Sequence, residues 1–190
     1  MKLFIKNMVC NRCKQAVKNE LERTGLHPVS VELGEVEISE AELSANQLKQ
    51  TAEAMSHAGF ELIDDRRGRI IEKIKNVVVS LVHYSEEQPK EKHSVYISKK
   101  LRYDYPYLSK LFSETEGITI EQYIIQQKTE KIKEYLVYDE LNLSEIADRM
   151  GYSSVAHLSA QFKKITGLTP SHFKNIGIHQ RRSLDKVTSK

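Results

Sequence analysis

The chain has 190 residues, with 29 Lys and Arg against 26 Asp and Glu and a formal net charge of +3. It contains no apolar run near the roughly 18 residues that a membrane-spanning helix needs, and its first residues, MKLFIKNMVC, become polar too soon for a secretory signal. The composition therefore predicts a cytoplasmic protein of one or two small domains with no membrane partner. The cysteines, Cys10 and Cys13, indicate metal or redox chemistry rather than a structural disulfide.

The charge is unevenly divided along the chain. Residues 1–65 carry 7 Lys and Arg against 11 Asp and Glu, a balance of −4, whereas residues 66–190 carry 22 against 15, a balance of +7. This asymmetry predicts an acidic module followed by a basic one, and the basic module is the candidate for binding a polyanion. Solvated surface charge would give the same balance, so the charge does not decide the function alone.

The first 65 residues alternate between strand and helix patterns. Apolar and polar residues alternate around Leu3 and again in a hairpin around Gly34, whereas apolar residues recur at helical spacing after Cys13. A second helix is predicted to turn an apolar face that includes Leu48 and Met55 towards the core, and a short strand follows it. The order βαββαβ predicts a ferredoxin-like α+β domain over residues 1–65.

The segment Cys10-Asn-Arg-Cys13 carries the chemistry of this domain. One cysteine in a loop and one at the start of a helix place both sulfurs near one point, and a helix N-terminus favours the thiolate that soft metals bind. Two thiolates suit Cu(I), while Zn(II) needs four ligands, some from a second molecule or additional residues. Cys10 and Cys13 are thus the predicted metal ligands; a redox dithiol and a domain kept for dimerisation remain alternatives.

Residues 1–65 resemble the heavy-metal-associated (HMA) domain of copper chaperones and metal-pumping ATPases. The segment MVCNRC at residues 8–13 stands where that family has Met-x-Cys-x-x-Cys, and AGF at residues 58–60 matches its usual ending before the last strand. The resemblance implies a ferredoxin-like fold with a soft-metal site. Asn7 departs from the common Gly before the motif, and Val9 departs from the usual Thr or Ser.

The basic part contains an internal repeat. LSKLFSETEGITIEQY at residues 108–123 is followed fifty residues later by LSAQFKKITGLTPSHF at residues 158–173, which indicates one supersecondary unit built twice. In each copy a short helix, a turn and a longer helix follow one another, as in a helix-turn-helix. The connecting helix of about 20 residues would span roughly 30 Å, close to the ~34 Å between successive major grooves on one face of DNA.

Residues 66–176 resemble the AraC/XylS family of transcription regulators. The segments that carry the resemblance are LSEIA at 143–147, GYSS at 151–154, FKKITG at 162–167 and TPSHF at 169–173. It implies an all-α domain with two helix-turn-helix motifs, sequence-specific binding to double-stranded DNA and contact with RNA polymerase. No nucleophile–base pair or phosphate-cradling glycine loop is recognisable, so an enzyme is not expected. Residues 177–190 are predicted to be a basic, disordered tail.

The second helix of each motif is predicted to enter the major groove. By their place in the family's recognition helices, the residues predicted to contact DNA are Tyr105, Pro106, Tyr107, Ser109 and Lys110 in the first and Ser154, Val155, Ala156, His157, Ser159, Ala160 and Lys163 in the second. The family often has Arg where this chain has Ala160, so the second helix offers methyl contacts and backbone donors in place of bidentate guanine contacts. The first helix is therefore predicted to carry more of the sequence discrimination.

Three functions fit these two modules. The first is a transcription regulator that responds to Cu(I) or a related soft cation at Cys10 and Cys13, and the second is a regulator that uses the same dithiol as a redox switch. The third is a metal-carrying or thiol-exchange protein whose helical part docks a partner. The repeat favours the first two, and a homodimer through the N-terminal domain is a further expectation.

Overall fold

The computed structural model of the chain describes residues 1–85, 89 and 91–176, and the predicted basic tail at residues 177–190 lies outside the described residues. The chain divides into two compact units, Met1–Asn76 and Val77–Lys190. The first unit therefore extends beyond residue 65, where the sequence placed its limit. Within the described ranges, no helix is long and apolar enough to cross a membrane.

The first unit contains one four-stranded sheet. Its elements are β1 Lys2–Lys6, α1 Asn11–Arg23, β2 Pro28–Glu32, β3 Glu35–Ile38, α2 Ala45–His57, β4 Glu61–Leu62 and the larger part of α3 Arg66–Val79. The strands lie in the order β2-β3-β1-β4, and every neighbouring pair is antiparallel. The predicted succession of strands and helices is thus present, and β1 and β3 are the two central strands of the sheet.

One face of this sheet packs against α1 and α2. Leu3 and Ile5 of β1 are buried with Leu21 of α1 and Met55 of α2, and burying a side chain of this size stabilises the fold by roughly 1.5–3 kcal/mol. Leu48, predicted to face this core, is instead 44% exposed.

Thr51 is buried on this face of α2 in place of Leu48. It is fully buried four residues before Met55, and its hydroxyl donates to the Gln47 carbonyl at 2.8 Å, which removes the cost of burying it. At 3.6 residues per turn, Leu48 lies only about 40° around α2 from the centre of the stripe formed by Thr51 and Met55. Its exposure therefore follows from its place in the first turn of α2, before the part of the helix that carries the buried residues.

The first turns of α3 belong to the sheet unit. The Arg69 guanidinium lies 4.8 Å and the Lys73 ammonium 5.5 Å from the centroid of the Phe4 ring on β1. The Asn76 side chain donates to the Leu33 carbonyl at 3.0 Å. Because these contacts hold α3 to β1 and to the β2–β3 hairpin as far as Asn76, the division between the units falls inside this helix rather than before it.

The second unit is all-helical in its described residues, as predicted. A π-helical turn at Ser80–Tyr84 continues α3, and the later helices are α4 His93–Leu101, α5 Tyr105–Glu116, α6 Ile120–Tyr138, α7 Leu143–Arg149, α8 Val155–Thr166 and α9 Pro170–Ile176. Capping boxes are present at Thr119 with Gln122 and at Asn142 with Glu145, in each case with a Gln or Glu three residues after the cap. They satisfy backbone N–H groups that the first turns of α6 and α7 would otherwise leave unpaired.

Helix α6 is the central element of this unit and buries polar as well as apolar residues. Ile124 and Ile132 are buried as the apolar pattern predicts. Lys128, Glu130 and Lys133 are also buried, which the apolar pattern does not predict. Lys133 and Glu130 form an ion pair at 2.7 Å, which offsets the cost of removing both charges from water. Even charged residues of α6 are covered by other helices, so α6 lies at the centre of this unit.

Candidate nucleic-acid interface and dithiol site

The two copies of the sequence repeat have the same packing. Leu108 of α5 and Leu158 of α8 are both fully buried. The Phe112 ring lies 5.5 Å from the Tyr123 ring, and the equivalent Phe162 ring lies 5.6 Å from Phe173. The fifty-residue repeat is therefore a repeat of side-chain contacts. In each copy an aromatic pair holds the predicted recognition helix, α5 or α8, to the helix that follows it.

The helix ends of the repeat also coincide. Helix α5 ends at Gly117 with φ +71° and α8 ends at Gly167 with φ +79°, both in the left-handed region that favours glycine. The turns inside the two motifs differ: Arg102 has φ +58° in the first, whereas Gly151 has φ +70° in the second. In the first turn a side chain therefore bears the steric cost of the left-handed conformation, whereas in the second turn a glycine adopts this conformation without that cost.

The first recognition helix presents a mixed polar and aromatic surface. Tyr107 is 45% exposed, and the side chain of Lys110 is 79% exposed with its ammonium 3.9 Å from Glu114. Pro106 is exposed at the second position of α5, whereas Ser109 is half-buried. Tyr107 and Lys110 are therefore the long side chains of this helix that are free to reach a ligand.

Tyr105 has a different role from its predicted one in the free protein. Its hydroxyl donates to the Glu121 carboxylate at the start of α6. Burial and the Glu121 carboxylate raise the pKa of this hydroxyl. A base contact by Tyr105 would require that hydrogen bond to break. Sequence analysis also missed Tyr103, whose ring lies 5.7 Å from that of Tyr107; the four-residue spacing of the two tyrosines was the available signal.

The second recognition helix presents small side chains. Ala156 and Ala160 are exposed, as is Lys163 one turn further on, while Val155 and Ser159 are half-buried. None of the four apolar and hydroxyl side chains extends far from the helix, so the exposed face of α8 is short compared with that of α5.

The first turn of α8 is held by its own polar residues. The Ser154 hydroxyl caps the helix by accepting from the His157 backbone N–H at 3.1 Å. The His157 ring packs edge-on against Tyr152 at 5.3 Å, and its Nδ1 lies 3.2 Å from the Ser153 hydroxyl. Ser154 and His157, both predicted to contact DNA, thus also hold the first turn of α8 in place. The exposed edge of His157 remains available to a phosphate.

The two cysteine sulfurs meet at the start of α1. Cys10 is the residue before the helix and Cys13 lies in its first turn, and their Sγ atoms are 3.3 Å apart. Burial acts to raise the pKa of Cys10, but backbone N–H groups of Cys13 and Arg12 and the Cys13 thiol donate to its sulfur, so that its pKa is lowered on balance. Burial, followed by the Cys10 sulfur, raises the pKa of Cys13. The first proton therefore leaves Cys10.

The loop before the cysteines is fixed at both ends. Asn7 has φ +70°, a conformation that Asn tolerates better than other side chains, and this explains why it replaces glycine there. Its side-chain amide donates to the Gly59 carbonyl at 3.1 Å. Met8 is fully buried in the core of this unit. Among the residues that the structure describes, no three His, Cys, Asp or Glu side chains converge on one point, so the dithiol supplies two ligands.

Comparison with known proteins identifies the helical part. Residues 97–176 match the family model described as a helix-turn-helix domain. This part of the chain is a helix-turn-helix domain. Its repeat and its signature segments resemble those of the AraC type.

Several regulators share this domain. The Msm operon regulatory protein of Streptococcus mutans is 32% identical over 78 residues, 41% of this chain and 28% of that protein. The transcriptional regulatory protein YesN of Bacillus subtilis is 37% identical over 70 residues, 36% of this chain and 19% of that protein. The C-terminal domain of AraT, a response regulator from Geobacillus stearothermophilus, has a TM-score of 0.51 at 24% identity and covers 63% of this chain and 95% of that domain.

The likeness to AraT is one of fold. The chain spans only 16% to 28% of the length of the curated relatives YtdP, Msm regulatory protein and YesN. The match therefore does not show that this chain shares the activities of those larger proteins.

Proposed function

We propose that the protein is a sequence-specific DNA-binding transcription regulator that places α5 and α8 in successive major grooves. The observation that carries this proposal is the doubled unit: two recognition helices with equivalent cores, joined by the 19-residue helix α6. A helix of that length spans about 29 Å, near the ~34 Å of one turn of DNA. The net charge of residues 66–190 and the matches to transcriptional regulators support a polyanionic partner and a non-enzymatic role.

The two helices make different contributions in this proposal. Tyr107 and Lys110 extend from α5 and reach base edges, whereas Ala156 and Ala160 bring methyl groups close to thymine. Lys163 and the exposed edge of His157 contact phosphates, which position the domain without reading sequence. RNA polymerase is the proposed protein partner at the promoter, and the cytoplasm is the proposed location.

A selection from random duplex DNA tests the proposal. The purified full chain should enrich a site with two half-sites about 10 base pairs apart, centre to centre, and its affinity should fall steeply with salt because Lys and Arg displace counterions. Lys110→Ala is the test variant and should weaken binding. Lys49→Ala, which removes an exposed lysine of the sheet unit, is its matched control and should not. Binding without sequence preference, or equal loss in both variants, would reject the proposal.

We further propose that the first unit is an HMA-like domain with a ferredoxin-like fold. The βαββαβ order of its first six elements and the antiparallel strand order β2-β3-β1-β4 support this fold. The resemblance at residues 8–13 and 58–60 adds sequence support. A homodimer formed through this unit belongs to the same proposal, and sedimentation of the full chain at several concentrations tests it.

In this proposal Cys10 and Cys13 hold Cu(I), and occupancy alters DNA binding. The residues fit that ion: both donors are soft sulfurs, and one has a lowered pKa. Cys10 and Cys13, whose Sγ atoms lie 3.3 Å apart, would hold the ion and would supply two soft thiolate ligands to it. Zn(II) would need two more ligands from outside the described dithiol.

The redox alternative rests on the same distance. Two sulfurs 3.3 Å apart, one of them the more acidic, are poised for reversible disulfide formation. The metal-carrying or thiol-exchange alternative gives the helical unit only a docking role, and a successful DNA selection would remove it.

A Cu(I) competition titration separates these readings. Reduced protein and a Cys10→Ser/Cys13→Ser variant are titrated without oxygen against a chromogenic Cu(I) chelator. Tight binding that the double variant loses supports the metal site, whereas equal curves reject it. DNA affinity is then measured for the reduced, Cu(I)-loaded and oxidised protein. A change with Cu(I) alone supports metal response, a change with oxidation alone supports the redox switch, and no change in either rejects both.

A further inference from the structure

A buried lysine of α6 reaches into the second helix-turn-helix. Lys128 is only 8% exposed, and its ammonium donates to the Met150 carbonyl at 2.7 Å. The same ammonium lies 5.6 Å from the centroid of the Tyr152 ring. Met150 ends α7, and Tyr152 lies in the turn between α7 and α8. A single cation of the central helix therefore contacts both residues that flank Gly151 in that turn.

The contact continues into the recognition helix. The Tyr152 ring packs edge-on against His157 at 5.3 Å, and His157 lies in the first turn of α8. Displacement of the turn between α7 and α8 would therefore displace the end of α8 that meets the DNA. In the residues that the structure describes, the recognition helix of the first motif is joined to α6 through Tyr105 and Glu121 instead, and within that motif the charge of Lys128 acts on His93 of α4.

The charge of Lys128 is expensive to bury. Burial lowers the pKa of this lysine to about 8, and no carboxylate contributes to the shift. A carbonyl and an aromatic face compensate only part of the loss of hydration. Replacing such a charge by an apolar side chain is often neutral or stabilising in proteins, so its presence here calls for a reason other than stability.

We propose that Lys128 is a positioning residue whose ammonium group fixes the turn between α7 and α8 and thereby the orientation in which α8 meets DNA. This rests on the proposed DNA-binding function. The role predicts a pH dependence, because the neutral amine makes a weaker hydrogen bond to Met150 and loses its attraction to the Tyr152 ring. DNA affinity then falls in proportion to the population that keeps the competent orientation.

The other titratable groups around Lys128 change charge outside the relevant range. Burial, and next the charge of Lys128, lower the pKa of His93 on α4, which Glu121 partly opposes. Burial raises the pKa of Tyr152 to about 12. Between pH ~7 and ~9.5, Lys128 is thus the member of this group whose charge changes.

The sign of the stability effect is opposite to that of the DNA effect. The folded-state pKa of about 8 lies below the ordinary value of 10.5, so the folded chain holds fewer protons than the unfolded chain between these values. Stability therefore rises as pH increases through this window, while affinity for DNA falls. A residue that served only to stabilise the fold would change both quantities in the same direction.

The test measures DNA affinity of the full chain from pH ~7 to ~9.5 with a duplex selected from random sequence and with each half-site scrambled in turn. The wild type is expected to lose roughly fivefold in affinity, and only where the half-site read by α8 is intact. Lys128→Arg, charged throughout, should show a flat profile, and Lys128→Met at neutral pH should match the wild type at high pH.

Lys131→Met is the matched control on the same helix, since Lys131 is largely buried and paired with Glu134 at 2.8 Å. It should keep the wild-type pH profile. Circular dichroism melting confirms that each variant folds, and if Lys128→Met does not fold, the wild-type and Lys128→Arg profiles decide. Equal losses at both half-sites, or a Lys128→Arg profile that follows the wild type, overturn the inference. Failure to select any sequence rejects the proposed function itself.

Discussion

The two helix-turn-helix motifs share their buried residues and differ in their exposed ones. Leu108 and Phe112 of the first occupy the same places as Leu158 and Phe162 of the second, with the same near-zero exposure. On the surface, α5 carries long side chains such as Lys110, whereas α8 carries alanines. The comparison teaches that the fold constrains the inside of each copy, where volume must match, and leaves the outside free to serve a different half-site.

The largest expected effect concerns the shared core. Phe112→Ala and Phe162→Ala should each lower the free energy of unfolding by about 3–5 kcal/mol, because each leaves a cavity beside its aromatic partner. Urea unfolding of the full chain, followed through the helical signal, measures both losses. Tyr107→Ala, on the exposed face of α5, serves as the control and should change little. A loss below 1 kcal/mol in only one copy would break the equivalence of the two cores.

The exposed faces should differ in sequence discrimination. Lys110→Ala is expected to reduce discrimination at the base pair it contacts by about 1–3 kcal/mol, whereas Ala160→Ser should change it much less because Ala160 offers only a methyl group. Selection from random DNA, repeated with each variant, shows which positions of the site relax. If exchanging residues of α8 alone transfers the specificity of a relative, the proposed dominance of α5 is wrong.

The helix ends should respond alike. Gly117→Ala and Gly167→Ala each place a side chain in the left-handed region, and neither added Cβ meets another atom within 4 Å. Only backbone strain remains, so each substitution should cost about 1–2 kcal/mol. Thermal melting of both variants measures this, with Gly25→Ala in the other unit as a comparison, since Gly25 has φ +79° and its added Cβ also meets no atom within 4 Å. Unequal losses at 117 and 167 would indicate that one C-terminus is held by more than its own conformation.

The smallest expected difference lies at the helix N-termini. Ser154 caps α8 through its hydroxyl, whereas Asp104 makes no side-chain hydrogen bond to α5. Ser154→Ala should therefore cost about 1 kcal/mol, and Asp104→Ala only the weak attraction of a carboxylate to a helix N-terminus, about 0.3–0.5 kcal/mol. Unfolding in urea at low ionic strength compares them. A larger loss for Asp104→Ala would contradict the difference between the two caps.

Much of the second unit could be predicted because its signals are local. The repeat and the helix ends at Gly117 and Gly167 depend on neighbours within a few residues, as do the capping boxes at Thr119 and Asn142. The dithiol is equally local, since only two residues at the start of a helix stand between Cys10 and Cys13. By contrast, the prediction that Leu48 faces the core is wrong, because its burial depends on which turns of α2 pack against the rest of the unit.

The sequence by itself determined the order of the elements, the doubled motif and the proximity of Cys10 and Cys13, since periodicity and spacing encode all three. Only the tertiary structure decided that α3 is divided between the units, that the Tyr105 hydroxyl is bonded to Glu121 and that Lys128 is buried. These depend on pairs of residues between 16 and 43 positions apart. Contacts at such separations arise from packing, which no single stretch of sequence specifies.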